Sequence, residues 1–192
     1  MSGNQREPSS LTRLVRESAE LRHLTSGATW SEGPVWLAAR GSLRWSDIPG
    51  NRILEYNLAS GTSSVYATDV EFTNGRTLDH SGTVIQCSHG RRAIERDIDG
   101  RVTTLVDSWN GYRLNSPNDV IVANDGAIWF TDPPYGIVQA HEGHLGEREY
   151  GANFVFRFDP SDGVIEPVAT DLEEPNGLAF SPGEQVLYVS DT

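Results

Sequence analysis

A unit of four short strands recurs along this chain, and that recurrence limits its architecture more than any other feature. Glu32-Gly33, Asn74-Gly75, Asn118-Asp119 and Asn176-Gly177 open four segments spaced 42, 44 and 58 residues apart. In each, an apolar strand, a small turn and a second strand lead to a polar landmark, Asp47, His89, Asp132 or Asp191, 14 or 15 residues after the opening. Third strands are expected at 53–56, 93–96 and 154–157, with a fourth closing each of those units around Gly61, Gly100 and Gly163. Short β-branched runs separated by Gly, Asp, Asn and Pro read as all-β. A period of roughly 40–45 residues with four strands is that of a β-propeller blade. The chain therefore predicts about three and a half blades over residues 29–192. Residues 1–28 form an N-terminal segment, partly helical or disordered, with 11–24 as its helical candidate. Propellers close with about 4–8 blades, so the count predicts an N-terminal fragment or a prematurely ended reading frame.

The long third interval places its excess in residues 137–153, rich in Gly, Glu and His. A loop of that length within a compact repeat points to function or mobility.

Composition excludes several classes. The 27 acidic against 15 basic residues leave a net charge of −12, which argues against a nucleic-acid partner. Cys87 is the single cysteine, so no intrachain disulfide is expected. No apolar run approaches the ~20 residues of a membrane span, and the N-terminus lacks the apolar core of a signal peptide. The expected location is cytoplasmic, with the periplasm as the alternative.

The innermost strand of each propeller blade lines the central channel, so the repeat predicts that Glu32, Asn74, Asn118 and Asn176 converge around one axis. One carboxylate and three amides offer hard oxygen donors suited to Ca²⁺, Mg²⁺ or Mn²⁺, with Zn²⁺ also compatible. Asn-Gly and Asn-Asp are equally ordinary turn dipeptides. Their common position favours a site, with Glu32, Asn118 and Asn176 as candidate metal ligands.

Four ordered segments, Ser31-Glu32-Gly33-Pro34-Val35-Trp36, Leu114-Asn115-Ser116-Pro117-Asn118-Asp119-Val120, Trp129-Phe130-Thr131-Asp132-Pro133-Pro134-Tyr135-Gly136 and Pro175-Asn176-Gly177-Leu178-Ala179-Phe180-Ser181-Pro182, resemble the gluconolactonase branch of the SMP-30/gluconolactonase (LRE-like) family. The resemblance implies a six-bladed β-propeller with one divalent cation on its axis, Ca²⁺ first and Mg²⁺, Mn²⁺ or Zn²⁺ otherwise. It implies Glu32 and Asn176 as metal ligands and Asn118 as a metal- or substrate-contacting amide. The implied reaction is hydrolysis of a small-molecule sugar lactone to the aldonic acid. The cation polarises the carbonyl and activates a water, while a carboxylate moves the proton. The family's acid/base aspartate is expected in a later blade, beyond Thr192, so no catalytic residue is assigned within this chain.

Further candidates are weaker. Asn74, His89 and Tyr135 are expected at the substrate; a backbone-bonded strand end suits His89 better, and packing suits Tyr135 as well. Arg113 offers a forked donor to a sugar, or a surface ion pair. His141-Glu142-Gly143-His144 has its histidines three apart, unlike the i, i+4 pair of helical zinc proteases. Asp97-Ile98-Asp99-Gly100 reads as a hairpin turn, and Trp36, Trp45 and Trp129 as core or inter-blade packing. The alternatives to a lactonase are a related ester or phosphotriester hydrolase, a propeller interaction module, and an inactive fragment.

Overall fold

The computed structural model describes residues 15–16 and 18–192. Part of the helical candidate at 11–24 falls outside them; its described residues form a bend, a turn and irregular backbone. No helix among the described residues is long and apolar enough to cross a membrane.

Three antiparallel four-stranded sheets follow one another. The first contains β1 (Ser31–Leu37), β2 (Ser42–Asp47), β3 (Arg52–Asn57) and β4 (Thr62–Thr68). The second contains β5 (Thr73–Leu78), β6 (Val84–Ser88), β7 (Ala93–Ile98) and β8 (Arg101–Val106). A hairpin of β9 (Ser108–Trp109) and β10 (Tyr112–Arg113) intervenes; the repeat does not foretell it. Its turn residues Asn110 and Gly111 both have positive φ, 51° and 84°. The third sheet contains β11 (Val120–Val122), β12 (Ile128–Asp132), β13 (Phe154–Asp159) and β14 (Val164–Ala169). Strands β15 (Pro175–Phe180) and β16 (Leu187–Asp191) form a two-stranded sheet equivalent to half a blade.

Each sheet is a meander, as short turns between antiparallel strands require. At 99–100, Asp99 and Gly100 supply the two positive φ values of a tight hairpin turn, and Asp97 accepts the Gly100 N–H across 2.7 Å. The first strands β1, β5, β11 and β15 lie side by side in that order, which is the arrangement of inner strands around a propeller axis. The architecture is thus the all-β propeller expected.

The main core lies between the second and third blades, where Ile85, Cys87, Ile94, Leu114, Phe130 and Phe156 meet. Trp109 of the unforeseen hairpin packs edge-on against Tyr150 and Phe154 at 5.7 Å, covering that core. Trp45 is buried in the first blade, and Trp129 packs against Phe180 of the next sheet at 5.3 Å. Trp36 departs from expectation: it lies on the exposed side of β1 and remains 45% accessible.

Candidate functional site

The repeat-opening residues are aimed by backbone irregularities. Strand pairing shifts register between Glu32 and Val35 in β1, between Thr73 and Arg76 in β5, and between Pro175 and Leu178 in β15. The shifts in β5 and β15 contain Asn74-Gly75 and Asn176-Gly177, that in β1 begins directly after Glu32, and a bulge redirects the adjoining side chains. In the third blade, Asn118 and Asp119 precede β11 and bond to the Thr131 backbone on either side.

Neighbouring blades then grip these positions. Ser46 Oγ donates to the Asn74 carbonyl at 2.9 Å, the Gly75 N–H to the Asn118 carbonyl at 2.8 Å, and Thr131 Oγ1 to the Asn176 carbonyl at 2.6 Å. Gly33, at φ 52°, leaves no room for a Cβ against the Asn74 backbone, and Gly75 leaves none against Asn118 and Asp119. The main-chain carbonyls of Asn74, Asn118 and Asn176 thus each accept a bond that joins neighbouring blades.

Glu32, Asn74, Asn118 and Asn176 line one cavity of about 300 Å³ with Tyr135 and Glu142. The four expected positions therefore come together. A second cavity of about 360 Å³ runs along the same four residues past Asp119 and Arg76. The first contains three carboxylates, Glu32, Glu142 and Glu174, and no Lys or Arg among its lining residues. Burial raises the Asp119 and Glu142 carboxyls above the ordinary range, and the nearby Glu32 charge adds to both shifts. Trp30 Nε1 donates to Glu32 Oε1 at 3.2 Å, holding that carboxylate at the rim. A hard, oxygen-binding cation fits this donor set, because amide and carboxylate oxygens meet there without a competing positive side chain.

Tyr135 opens the helical turn α1 (Tyr135–Val138) and is half-buried at the cavity wall. The His89 ring is fully buried behind Asn74 and is not among the residues that line the cavity. The physical reason is the 137–153 insertion, which closes over it. Its Nδ1 lies 3.0 Å from the Glu142 carbonyl and its Nε2 3.1 Å from Asn74 Nδ2.

The polar landmark of the repeat acquires a structural reason. Asp47 accepts the N–H groups of Thr29 and Trp30, Asp132 that of Asn115, and Asp191 those of Glu173 and Glu174. In each case the aspartate ending the second strand ties down the segment leading into the first. His89 breaks this pattern: the segment leading into its blade is tied down from the first blade instead, where Asn51 Oδ1 accepts the Phe72 N–H at 2.9 Å.

Glu142 and Thr192, like Trp30, Gln139 and Glu174, line the cavity without having been placed there by sequence reasoning. The insertion drew attention to Glu142, but its placement depends on how the loop folds back. Thr192 figured in the sequence only as the residue beyond which the acid/base aspartate is expected. In the structure it lines the cavity itself, and its Oγ1 lies 2.7 Å from the Tyr135 hydroxyl. The physical reason is the pairing of β16 with β15, which carries residue 192 to the cavity end of the sheet, where its Oγ1 also donates to the Glu174 carbonyl at 3.1 Å. Thr192 thereby links the Tyr135 hydroxyl to the backbone leading into β15.

His141 and His144 diverge: His141 lies beside Trp30, whereas His144 bonds Glu71 at 2.9 Å and packs edge-on to Phe72. No group of three or more His, Cys, Asp and Glu side chains with metal-binding geometry occurs among the described residues. Arg113 reaches the Arg91 carbonyl at 3.1 Å, and its backbone N–H bonds Glu149, outside the cavity.

Comparison with known proteins agrees with this geometry. A gluconolactonase of Zymomonas mobilis is 35% identical over 95% of this chain and 54% of its own length. The solved structure of a gluconolactonase from Xanthomonas campestris is 48% identical, with a TM-score of 0.84 over 88% of this chain and 57% of that one. A calcium-binding regucalcin from Agrobacterium tumefaciens, 21% identical, shares the fold with a TM-score of 0.67, over 88% of this chain and 53% of that one. The chain spans a little over half the length of the gluconolactonases it matches. With residues 30–192 matched by the model of the SMP-30/gluconolactonase/LRE-like region, the chain belongs to that family.

Proposed function

We propose that this chain contributes the cation cradle and substrate mouth of a divalent-metal-dependent hydrolase of sugar lactones. The observation that carries the proposal is the cavity in which Glu32, Asn118 and Asn176 present oxygen donors from three different blades. Likeness to gluconolactonases supports lactones as the substrate class.

Glu32, Asn118 and Asn176 would hold the cation, Ca²⁺ first and Mg²⁺, Mn²⁺ or Zn²⁺ otherwise, because hard oxygen ligands suit it. When bound, such a cation supplies Lewis acidity that polarises an ester carbonyl and acidifies water. Asn74 and Asn118 face the same cavity and orient ring hydroxyls, while the Tyr135 ring walls one side. The carboxylates Glu32 and Glu142 keep the mouth negative. Hydrolysis joins the water oxygen to the carbonyl carbon, breaks the ring C–O bond and delivers a proton to the released hydroxyl. No described side chain is assigned that proton transfer.

The test is hydrolysis of glucono-δ-lactone followed by acid release in the purified protein. Activity is expected to vanish on chelation and return with Ca²⁺ or another divalent ion. Turnover that survives exhaustive chelation overturns the metal mechanism. Hydrolysis of aryl esters or phosphotriesters with lactones untouched overturns the substrate class.

A further inference from the structure

We infer that His89 is a positioning residue that locks the Asn74 amide so that its carbonyl oxygen faces the channel, ready to accept a hydrogen bond from a substrate hydroxyl. The inference rests on the lactone reading only for the nature of that hydroxyl; the lock itself follows from hydrogen-bond donors and acceptors.

A backbone carbonyl can only accept. His89 Nδ1, 3.0 Å from the Glu142 carbonyl, must therefore carry the proton. Burial depresses the His89 pKa to about 4, so the ring is neutral near neutral pH and its Nε2 is left with a lone pair. The atom of Asn74 lying 3.1 Å from Nε2 must then be the amide nitrogen, donating. The Asn74 carbonyl oxygen is left directed away from the histidine. Asn74 is 3% exposed and lines the cavity, so the channel is where that oxygen finds a partner. Without His89 the amide has no reason to prefer one flip over the other.

Three further observations converge on the same assignment. His89 stands where the other units place a backbone-latching aspartate, and Asn51 of the preceding blade latches the segment leading into β5 instead. Gly136 packs so closely on the ring that a Cβ would come within 2.7 Å of His89 Cγ and 2.9 Å of Nδ1. Gly143, beside Glu142, in turn packs on the Gly136 backbone. The glycines of the Tyr135-Gly136 turn and of the His141-Glu142-Gly143-His144 segment thus let the insertion press its carbonyl onto His89. The insertion, through one imidazole, sets what the channel presents to a ligand.

Two measurements test this. Long-range ¹H–¹⁵N correlation on the ¹⁵N-labelled protein should show His89 as the neutral Nδ1–H tautomer, assigned by its loss in His89→Gln. An Nε2–H tautomer or a doubly protonated ring near neutral pH overturns the lock. In glucono-δ-lactone kinetics, His89→Leu should raise KM about tenfold with kcat changed less than about threefold, the expected loss of one ground-state hydrogen bond. His89→Gln, whose amide oxygen can accept from Asn74, should recover most of that KM. Equal impairment in both variants, or none in His89→Leu, overturns the positioning role. Absence of lactone turnover in the wild-type protein removes the lactone reading alone, and the tautomer then decides the lock.

Discussion

Thr131 Oγ1 donates to the main-chain carbonyl of Asn176 across 2.6 Å, from the second strand of one blade to the first strand of the next. The hydroxyl is fully buried and lies at the end of the core strand β12. The bond therefore both joins blades and sets the backbone from which a candidate cation ligand projects. Thr131→Val keeps the shape but leaves the Asn176 carbonyl without this donor. It should destabilise the protein by about 1–3 kcal/mol in urea melts, with Thr131→Ser losing less. Unchanged stability in Thr131→Val would show that the inter-blade bond contributes nothing.

Gly33 makes a sharper demand. Its φ of 52° disfavours any side chain, and a Cβ would overlap the Asn74 backbone. Gly33→Ala should cost about 2–4 kcal/mol, from backbone strain together with overpacking between the first two blades. Gly41, at φ 59° but facing open space, is the control: Gly41→Ala should cost about 1–2 kcal/mol from strain alone. Equal losses at the two positions in thermal melts would remove close blade contact as the cause.

Glu32 is the one carboxylate among the repeat-opening residues. Glu32→Gln retains shape and an oxygen donor but removes the charge. Calcium affinity measured by calorimetry should fall about tenfold or more, with the melting temperature of the cation-free protein nearly unchanged. Affinity equal to wild type would place the cation elsewhere.

Asp132 predicts a pH dependence of stability. Burial raises its pKa from 3.8 to about 7, opposed by hydrogen bonds from Tyr150 and from the Asn115 and Ser116 backbone. The folded state then binds a proton more tightly than the unfolded chain. The stabilisation from protonated Asp132 is complete below about pH 4 and is lost as pH rises through about 7. Asp132→Asn, which retains an acceptor for Tyr150 and Asn115, should flatten the stability profile between those limits. A profile unaltered by the substitution would remove Asp132 as its source.

Much of the fold was legible because a blade is a local object. Turn residues and apolar alternation determine four consecutive strands, and repetition of Glu32, Asn74, Asn118 and Asn176 determines that these positions share an axis. Hairpin β9–β10 escaped notice because its strands are two residues long and its stability comes from Trp109 packing on Tyr150 and Phe154, which are distant in sequence. Trp36 was misplaced for the converse reason: an aromatic residue in a strand is no guide to which face the neighbouring structure covers.

The site divides along the same line. By itself, the sequence determined the repeat, the family motifs and the oxygen-rich character of the channel positions, because these reside in residue type and spacing. Only the tertiary structure decided which face of His89 meets which partner, that Glu142 and Thr192 join the cavity wall, and that Asp47, Asp132 and Asp191 serve as latches. Those outcomes depend on the path of the 137–153 insertion and on close approaches at Gly136 and Gly143. Hydrogen-bond partners more than fifty residues apart, such as His89 with Glu142 and Tyr135 with Thr192, leave no periodic trace in a sequence.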